Sequence, residues 1–466
     1  MKNVLILFVF LSLINMSCSM KKEKTNEQSS SDEVKLITLD PGHFHAALVQ
    51  KTAYPQVGND VYVYAPEGDD LEEHLKKIEA YNSRSESPTQ WNEIIYRGAD
   101  FFEKMIGEKK GNVMVVSGNN LKKTVYIRET LKSGIHVLAD KPMAINTDDF
   151  RMLKECFEIA EKNGLLLYDI MTERFEIASI LQKEFSLIPA VYGQQFQGSP
   201  DDPGIVEESV HHFLKTVSGS PLKRPAWFFD VEQQGSGIVD VSTHLVDLVQ
   251  WACFPEQIIN YETDIELLDA THWVTSMTLE QFGIITGLEE FPDYLQKDVK
   301  DGILQVFANG TIIYKLKGLH AKVTALWNFT YPEGGGDTHY SILKGSKSHL
   351  IVEQGMETGF IPVLFIKKTD AQIKTEDFEK DLTASLPIIT GKYPGITVTK
   401  LKEDTWQVNV PDRYHVGHEA HFGQVTENFL KYLSEKKLPD WEVPNMIAKY
   451  YTTTRALQIA KNKVLN

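Results

Sequence analysis

Three polar side chains interrupt an apolar stretch near the middle of the chain. In QQGSGIVDVSTHLVDLVQW (Gln233–Trp251), Asp240, His244 and Asp247 stand at i, i+4 and i+7 among residues that are apolar nearly all round. Treated as a helix from about Ile238, the segment should be buried. A carboxylate and an imidazole in that setting need partners or a task. An Asp–His pair one turn apart makes a general base, with the carboxylate fixing the ring tautomer. The alternative is a satisfied polar pair inside a domain interface; the catalytic reading ranks ahead of it.

A second group is Asp140–Lys141–Pro142, which closes the apolar run HVLADKPMA. Ligands of open parallel sheets bind beyond the carboxyl ends of the strands. Lys141 is therefore either a surface charge on a loop or a group aimed into a crevice, and position alone does not separate the two. YHVGHEAHF holds His415, His418 and His421, but spacings of three and three do not bring all of them to one helical face, so a sugar-contacting or structural role is favoured over a metal. SVHHFLK (His211, His212, Lys215) is polar, flanked by aromatic residues and suited to a pocket wall.

TLDPGHFHAAL (Thr38–Leu48) follows a short apolar run, at the place where a dinucleotide-binding domain carries G-x-G-x-x-G; its three positions are Asp40, Gly42 and His45. Asp40 and Pro41 suit a helix cap and a first helical residue. A carboxylate competes with a diphosphate for the same N–H groups. Gly42 is kept where backbone must approach a ligand, so the loop alone leaves both readings open. Glu67, beyond the next strand, is the candidate for a ribose contact, and with no arginine nearby in the sequence NAD is favoured over NADP.

These groups need positioning elements, and the patterns supply them. Leu36–Leu39, Asn59–Gly68, Gly111–Asn120, Gly134–Met143 and the run LLLYDIMTERF read as strands. Helical segments at Leu71–Tyr81, Lys122–Ser133 and Thr147–Gly164 lie between them, and NSRSESPTQW after Tyr81 reads as an insertion or long loop. The alternation predicts an α/β fold: a Rossmann-like, doubly wound parallel sheet over residues 34–172. After about Ile180, VYGQQFQG, IIYKLKGL, VTALWNFTY, THYSILKG and SHLIVEQG read as strands of a large, mostly antiparallel open sheet. This gives an α+β domain over residues 173–466, with the final helical segments packing back.

The 466 residues carry 64 acidic and 48 basic side chains, a formal charge of −16, which disfavours nucleic acid as a partner. Residues 1–18 resemble a lipoprotein signal peptide, with Lys2, an apolar Val4–Ile14 and Cys18 as the lipidation site; ordinary cleavage near Ser17 is the alternative. Residues 19–33 form a polar tether. The chain is thus expected to be exported, periplasmic or outer-membrane-associated, touching membrane only through its N-terminal lipid. Cys156 and Cys253 read as buried thiols, with no disulfide framework and no cysteine metal site.

A degenerate glycine loop, a strand ending in D-K-P, the exit MTERF, and glycines followed by D-x3-H-x2-D together resemble the Gfo/Idh/MocA oxidoreductase family, in its secreted branch with an extended C-terminal domain. The resemblance implies NAD, less readily NADP, held by Asp40, Gly42, His43, His45, Glu67, Gly118, Asn119, Asn120, Asp140, Lys141 and Arg174. It implies catalysis by Lys141, Asp240 and His244: His244 as base, Lys141 as charge, Asp240 orienting His244. His212, Lys215 and His418 would line the substrate pocket, no metal is implied, and a homo-oligomer is expected. Three activities compete: oxidation of a hydroxyl of a sugar, glycoside or cyclitol; redox-neutral glycoside cleavage with tightly held NAD; and sugar binding without catalysis.

Overall fold

The computed structural model describes residues 33–217, 220–331 and 335–464. The expected signal peptide, Cys18 and nearly all of the tether lie outside these residues. The first unit alternates strand and helix: β1 (Leu36–Leu39), α1 (His45–Val49), β2 (Asp60–Ala65), α2 (Asp69–Ser83), β3 (Asn92–Arg97), α3 (Phe101–Glu108), β4 (Val113–Val116), α4 (Lys123–Lys132), β5 (His136–Asp140), α5 (Thr147–Asn163) and β6 (Leu167–Ile170). The sheet order is β3-β2-β1-β4-β5-β6 and every pairing is parallel. All four residues of β1 and of β4 are buried, as strands covered on both faces require. The amphipathic α5 is capped by the Asn146 side chain, which accepts from the N–H groups of Asp148 and Asp149.

β3 and α3 follow NSRSESPTQW directly and differ from expectation, which placed no strand or helix there. β3 is an edge strand with Ile94 and Ile95 partly exposed, so it lacks the buried run that marks the other strands.

The second unit begins with α6 (Ile177–Ser186) and β7 (Ile205–His212), followed by the short β8 (Thr216–Val217) and β9 (Ser220–Pro221) and by α7 (Ser242–Cys253). Next come β10 (Ile265–Thr278), α8 (Leu279–Thr286), β11 (Val299–Lys300), β12 (Ile303–Leu316), β13 (Leu319–Asn328), β14 (Thr338–Lys344), β15 (Ser348–Gln354) and β16 (Val363–Lys368). The chain closes with α9 (Thr375–Lys392), β17 (Thr397–Lys402), β18 (Thr405–Asn409), α10 (His418–Glu435) and α11 (Glu442–Val464). The large sheet runs β10-β12-β13-β7-β14-β15-β16-β18-β17, with β11 beside β12; only β13 and β7 pair in parallel. VYGQQFQG is turn and isolated bridge rather than strand: Gln195 bridges to Gly345 and the backbone then reverses.

The two largest cores underlie the two units, and the last two helices join them. Phe422, Val425 and Phe429 of α10 and Met446 and Tyr450 of α11 pack into the core of the parallel sheet. Ala456, Leu457 and Ala460, further along α11, pack into the core beneath the large sheet. The carboxyl ends of β1, β4 and β5 therefore face the segment that leads into α7, and the site lies between them.

Candidate active site

β5 delivers Asp140 and Lys141 to the carboxyl edge of the parallel sheet, and the Lys141–Pro142 peptide is cis. Lys123, itself buried, donates from Nζ to the Asp140 carbonyl at 3.0 Å and fixes this exit from below. Burial pushes its ammonium down to about 8. Lys141 then reaches across the domain boundary, and its Nζ donates to Asp240 Oδ1 at 2.5 Å. Burial would raise the Asp240 carboxyl, but the charge and hydrogen bond of Lys141 outweigh it and hold the group below the usual range.

Asp240 does not lie on the helix as the periodicity suggests. α7 starts at Ser242, and Asp240 sits in the preceding turns, where its N–H donates to the Ser236 carbonyl. Its carboxylate is spent on Lys141, so the expectation that it orients His244 is corrected. Among the described residues His244 Nδ1 is buried with no hydrogen-bond partner. Burial first, then the charges of Lys141 and His418, keep His244 neutral well below its ordinary pKa. The ring as a whole is half-buried, and a neutral imidazole near an ammonium can accept a proton from a bound hydroxyl through a nitrogen that is not enclosed.

The opposite wall is built on β7 and the loop before β14. Asp337 accepts from His212 Nδ1 and Lys215 Nζ, both at 2.9 Å, and lies 3.5 Å from His211 Nδ1. Burial opposes its ionisation, but these three donors hold it far below the carboxylate range. Arg224 donates to the carbonyls of Phe213 and His212 behind them. Glu173 follows β6; its Oε1 is 3.8 Å from His418 Nε2, at the start of α10. Burial, with Glu176 adding to it, pushes Glu173 up to about 7. Lys141 lies near enough to Glu173, His211, Lys215 and His418 for its charge to act on each of them. Of this group Glu173, Asp337 and Arg224 escaped the sequence reading. Glu173 lies inside the quoted TERF, and its own signal is a carboxylate at a strand exit.

On the cofactor side, the loops after β1 and β4 touch. A Cβ on Gly118 would lie 2.2 Å from the Asp40 carbonyl oxygen, so only glycine fits there. Asp40 has φ of 47°, and burial followed by the charge of Asp70 pushes its carboxyl up to about 6. His45, at the third glycine position, is buried with Nδ1 3.0 Å from Asp140 Oδ2, and His43 Nδ1 stands 3.5 Å from the same oxygen. Asn119 Nδ2 donates to Gln233 Oε1, and Asn120 Nδ2 to the Gln234 carbonyl. Glu67 is exposed just past β2; β3 brings Arg97 opposite Ala65, where it pairs with Glu72, so an arginine does stand near that strand end.

These residues suit a nicotinamide dinucleotide at one end. Lys141 and the half-buried, neutral ring of His244 stand at the reacting end. At the diphosphate end the loop is covered. The side of Gly42 that a Cβ would occupy is met by Asp70 Oδ2 and the Trp227 ring, 2.8 and 3.0 Å from where that Cβ would stand. Trp227 Nε1 donates to Asp70 at 2.9 Å.

Arg174 belongs to neither half. Its Nε and Nη2 donate to both oxygens of Asp247 at 2.6 and 2.7 Å, and Nη1 donates to Glu442 at 3.1 Å. Lys449 Nζ bridges Asp247 and Asp169, at 2.8 and 2.7 Å. All of these are buried. The cofactor role expected of Arg174, and a place for Asp247 on the reactive stripe, give way to a buried ionic network that ties β6, α7 and α11 together.

Two family models match the chain. "Oxidoreductase family, NAD-binding Rossmann fold" covers residues 65–169, and "Putative oxidoreductase C terminal domain" covers residues 181–461. A crystal structure described as a putative oxidoreductase from Parabacteroides merdae is 60% identical, with a TM-score of 0.91 over 93% of this chain and 98% of that one. One described in the same words from Thermotoga maritima is 14% identical, with a TM-score of 0.58 over 92% and 98%. A mutant of a 3-ketoreductase from Actinomadura kijaniata, in complex with TDP-benzene and NADP, is 12% identical, with a TM-score of 0.55 over 92% and 98%. The last two share the fold alone. A search of the curated proteins found no match. The Rossmann family match supports a nicotinamide cofactor.

Proposed function

The chain belongs to the Gfo/Idh/MocA family of oxidoreductases, and we propose that it acts on a hydroxyl-bearing carbon of a sugar, glycoside or cyclitol. The observation behind this reading is the Lys141–Asp240 contact between the two domains, with the neutral ring of His244 near the ammonium. A secondary hydroxyl placed there meets an ammonium that stabilises the developing alkoxide. It also meets a neutral imidazole that takes its proton. Asp240 holds the ammonium in place. A nicotinamide ring bound at the crevice supplies the hydride acceptor. His212, Lys215 and His418 offer hydrogen bonds to the remaining hydroxyls of a polyol. NAD is preferred to NADP, because Glu67 at the end of β2 suits a ribose diol. The reading includes export with a lipid at Cys18, and self-association.

The cover formed by Trp227 and Asp70 favours a second reading. A dinucleotide held under it would not exchange at each turnover. Oxidation of a ring hydroxyl, elimination of the aglycone beside the new ketone, and re-reduction would then leave no net redox change. The purified chain is denatured and its supernatant assayed for nicotinamide dinucleotide, then a panel of glycosides is added to the native protein. Accumulated NADH supports the first reading, and aglycone release without it supports the second. Absence of dinucleotide together with no affinity for added NAD or NADP contradicts both.

A further inference from the structure

Two histidines and an aspartate converge at the β1 and β5 strand ends in a way that catalysis at a hydroxyl does not use. His43, His45 and Asp140 each offer one ligand atom within 4.8 Å of the other two. Asp140 and His45 are buried and His43 nearly so. His43 Nδ1 has no hydrogen-bond partner, and neither does Asp140 Oδ1, although both are fully enclosed. The two imidazoles stand edge to face with ring centroids 4.0 Å apart. Spacing in the sequence gives no warning, because the carboxylate comes from a strand nearly a hundred residues away.

We propose that His43, His45 and Asp140 form a binding site for a divalent transition-metal ion of the zinc class. Bonds of 2.0–2.1 Å in tetrahedral geometry put neighbouring ligand atoms about 3.3–3.4 Å apart. The two imidazole nitrogens lie 3.0 and 3.5 Å from Asp140 Oδ2, on either side of that spacing. Two imidazoles and one carboxylate make a borderline donor set suited to such ions and not to Mg2+ or Ca2+. Ser117 Oγ donates to Asp140 Oδ2 at 2.9 Å and steadies the carboxylate, as outer partners of metal ligands do. The inference does not depend on which glycoside reaction the chain performs.

The test uses the full chain, stripped with chelator, equilibrated with Zn2+ or Co2+, and freed of excess ion by gel filtration. Metal analysis should find about one ion per chain. Co2+ should show the visible absorption of a low-symmetry site, and excess Zn2+ should raise the melting temperature. H43A keeps the His45–Asp140 contact and is the variant expected to fold; it should lose the bound ion and the Zn2+-dependent shift, and H45Q should do the same. Absence of bound ion in the folded wild-type chain overturns the proposal. So does equal retention by wild type and folded H43A, which places the ion elsewhere. If neither variant folds, a featureless Co2+ spectrum with no Zn2+ shift in the wild type overturns it equally.

Discussion

Lys141 and Asp240, 99 positions apart in the chain, meet with Nζ 2.5 Å from Oδ1, and this contact joins the parallel sheet to the domain that follows it. One partner ends a Rossmann strand and the other precedes a helix of the second domain. Each depends on the other: Lys141 offsets the burial cost of Asp240, and Asp240 holds the ammonium where a substrate hydroxyl would lie.

Removing the carboxylate should disable the site without unfolding the chain. D240N keeps the shape and leaves Lys141 unanchored. Turnover should fall by about 10²–10³-fold, the cost of losing a preorganised electrostatic group. Steady-state kinetics of D240N, with circular dichroism to confirm the fold, checks this.

His244 is assigned the proton transfer. H244Q should lower kcat by about 10²–10⁴-fold, the range for losing a general base, and should leave KM close to wild type. A rise in KM at constant kcat would make His244 a binding group.

Glu173 gives a pH dependence with a definite sign. Its carboxyl is raised from 4.5 to about 7 in the fold, so the folded chain holds a proton there that the unfolded chain has released. Wild type should therefore lose stability as pH rises from about 4.5 to 7, through the gap between the two values. E173Q cannot ionise and should lack that loss. Melting temperatures of the two proteins at pH 5 and pH 8 should diverge, with the variant gaining on the wild type at the higher pH.

The Arg174 network predicts instability. R174A leaves Asp247 and Glu442 buried with fewer counter-charges, and breaking a buried pair costs about 3–5 kcal/mol. Urea unfolding should show that loss, while dinucleotide affinity of the folded fraction stays unchanged.

Trp227 and Asp70 cover Gly42, so W227A should speed exchange of bound nicotinamide dinucleotide. Gel filtration followed by assay of the retained dinucleotide measures it. Equal retention in both proteins would show that the indole does not restrain the cofactor.

The parallel sheet was legible because buried strands such as VMVV carry unbroken apolar runs, and because the amphipathic pattern of α5 from Thr147 stops at Gly164. β3 was not legible, since an exposed edge strand has no such run. The stripe Asp240–His244–Asp247 marked the right segment but the wrong partners. Periodicity assumes one continuous helix, whereas the chain turns before Ser242, giving Asp240 to Lys141 and Asp247 to Arg174. Contacts assembled from distant segments left no trace in local pattern. Asp337 gathers His212 and Lys215 from more than a hundred positions away, and Asp140 gathers His43 and His45 across the sheet.

The central claim is that Lys141 and Asp240 act as one unit at the reacting hydroxyl, and a double-mutant cycle tests it most directly. K141M, D240N and the double variant are compared in kcat/KM on the best glycoside of the panel, read as NADH formed or aglycone released. The double variant should be no slower than the slower single one, a coupling above about 1.4 kcal/mol, or tenfold. Losses that simply add would contradict it.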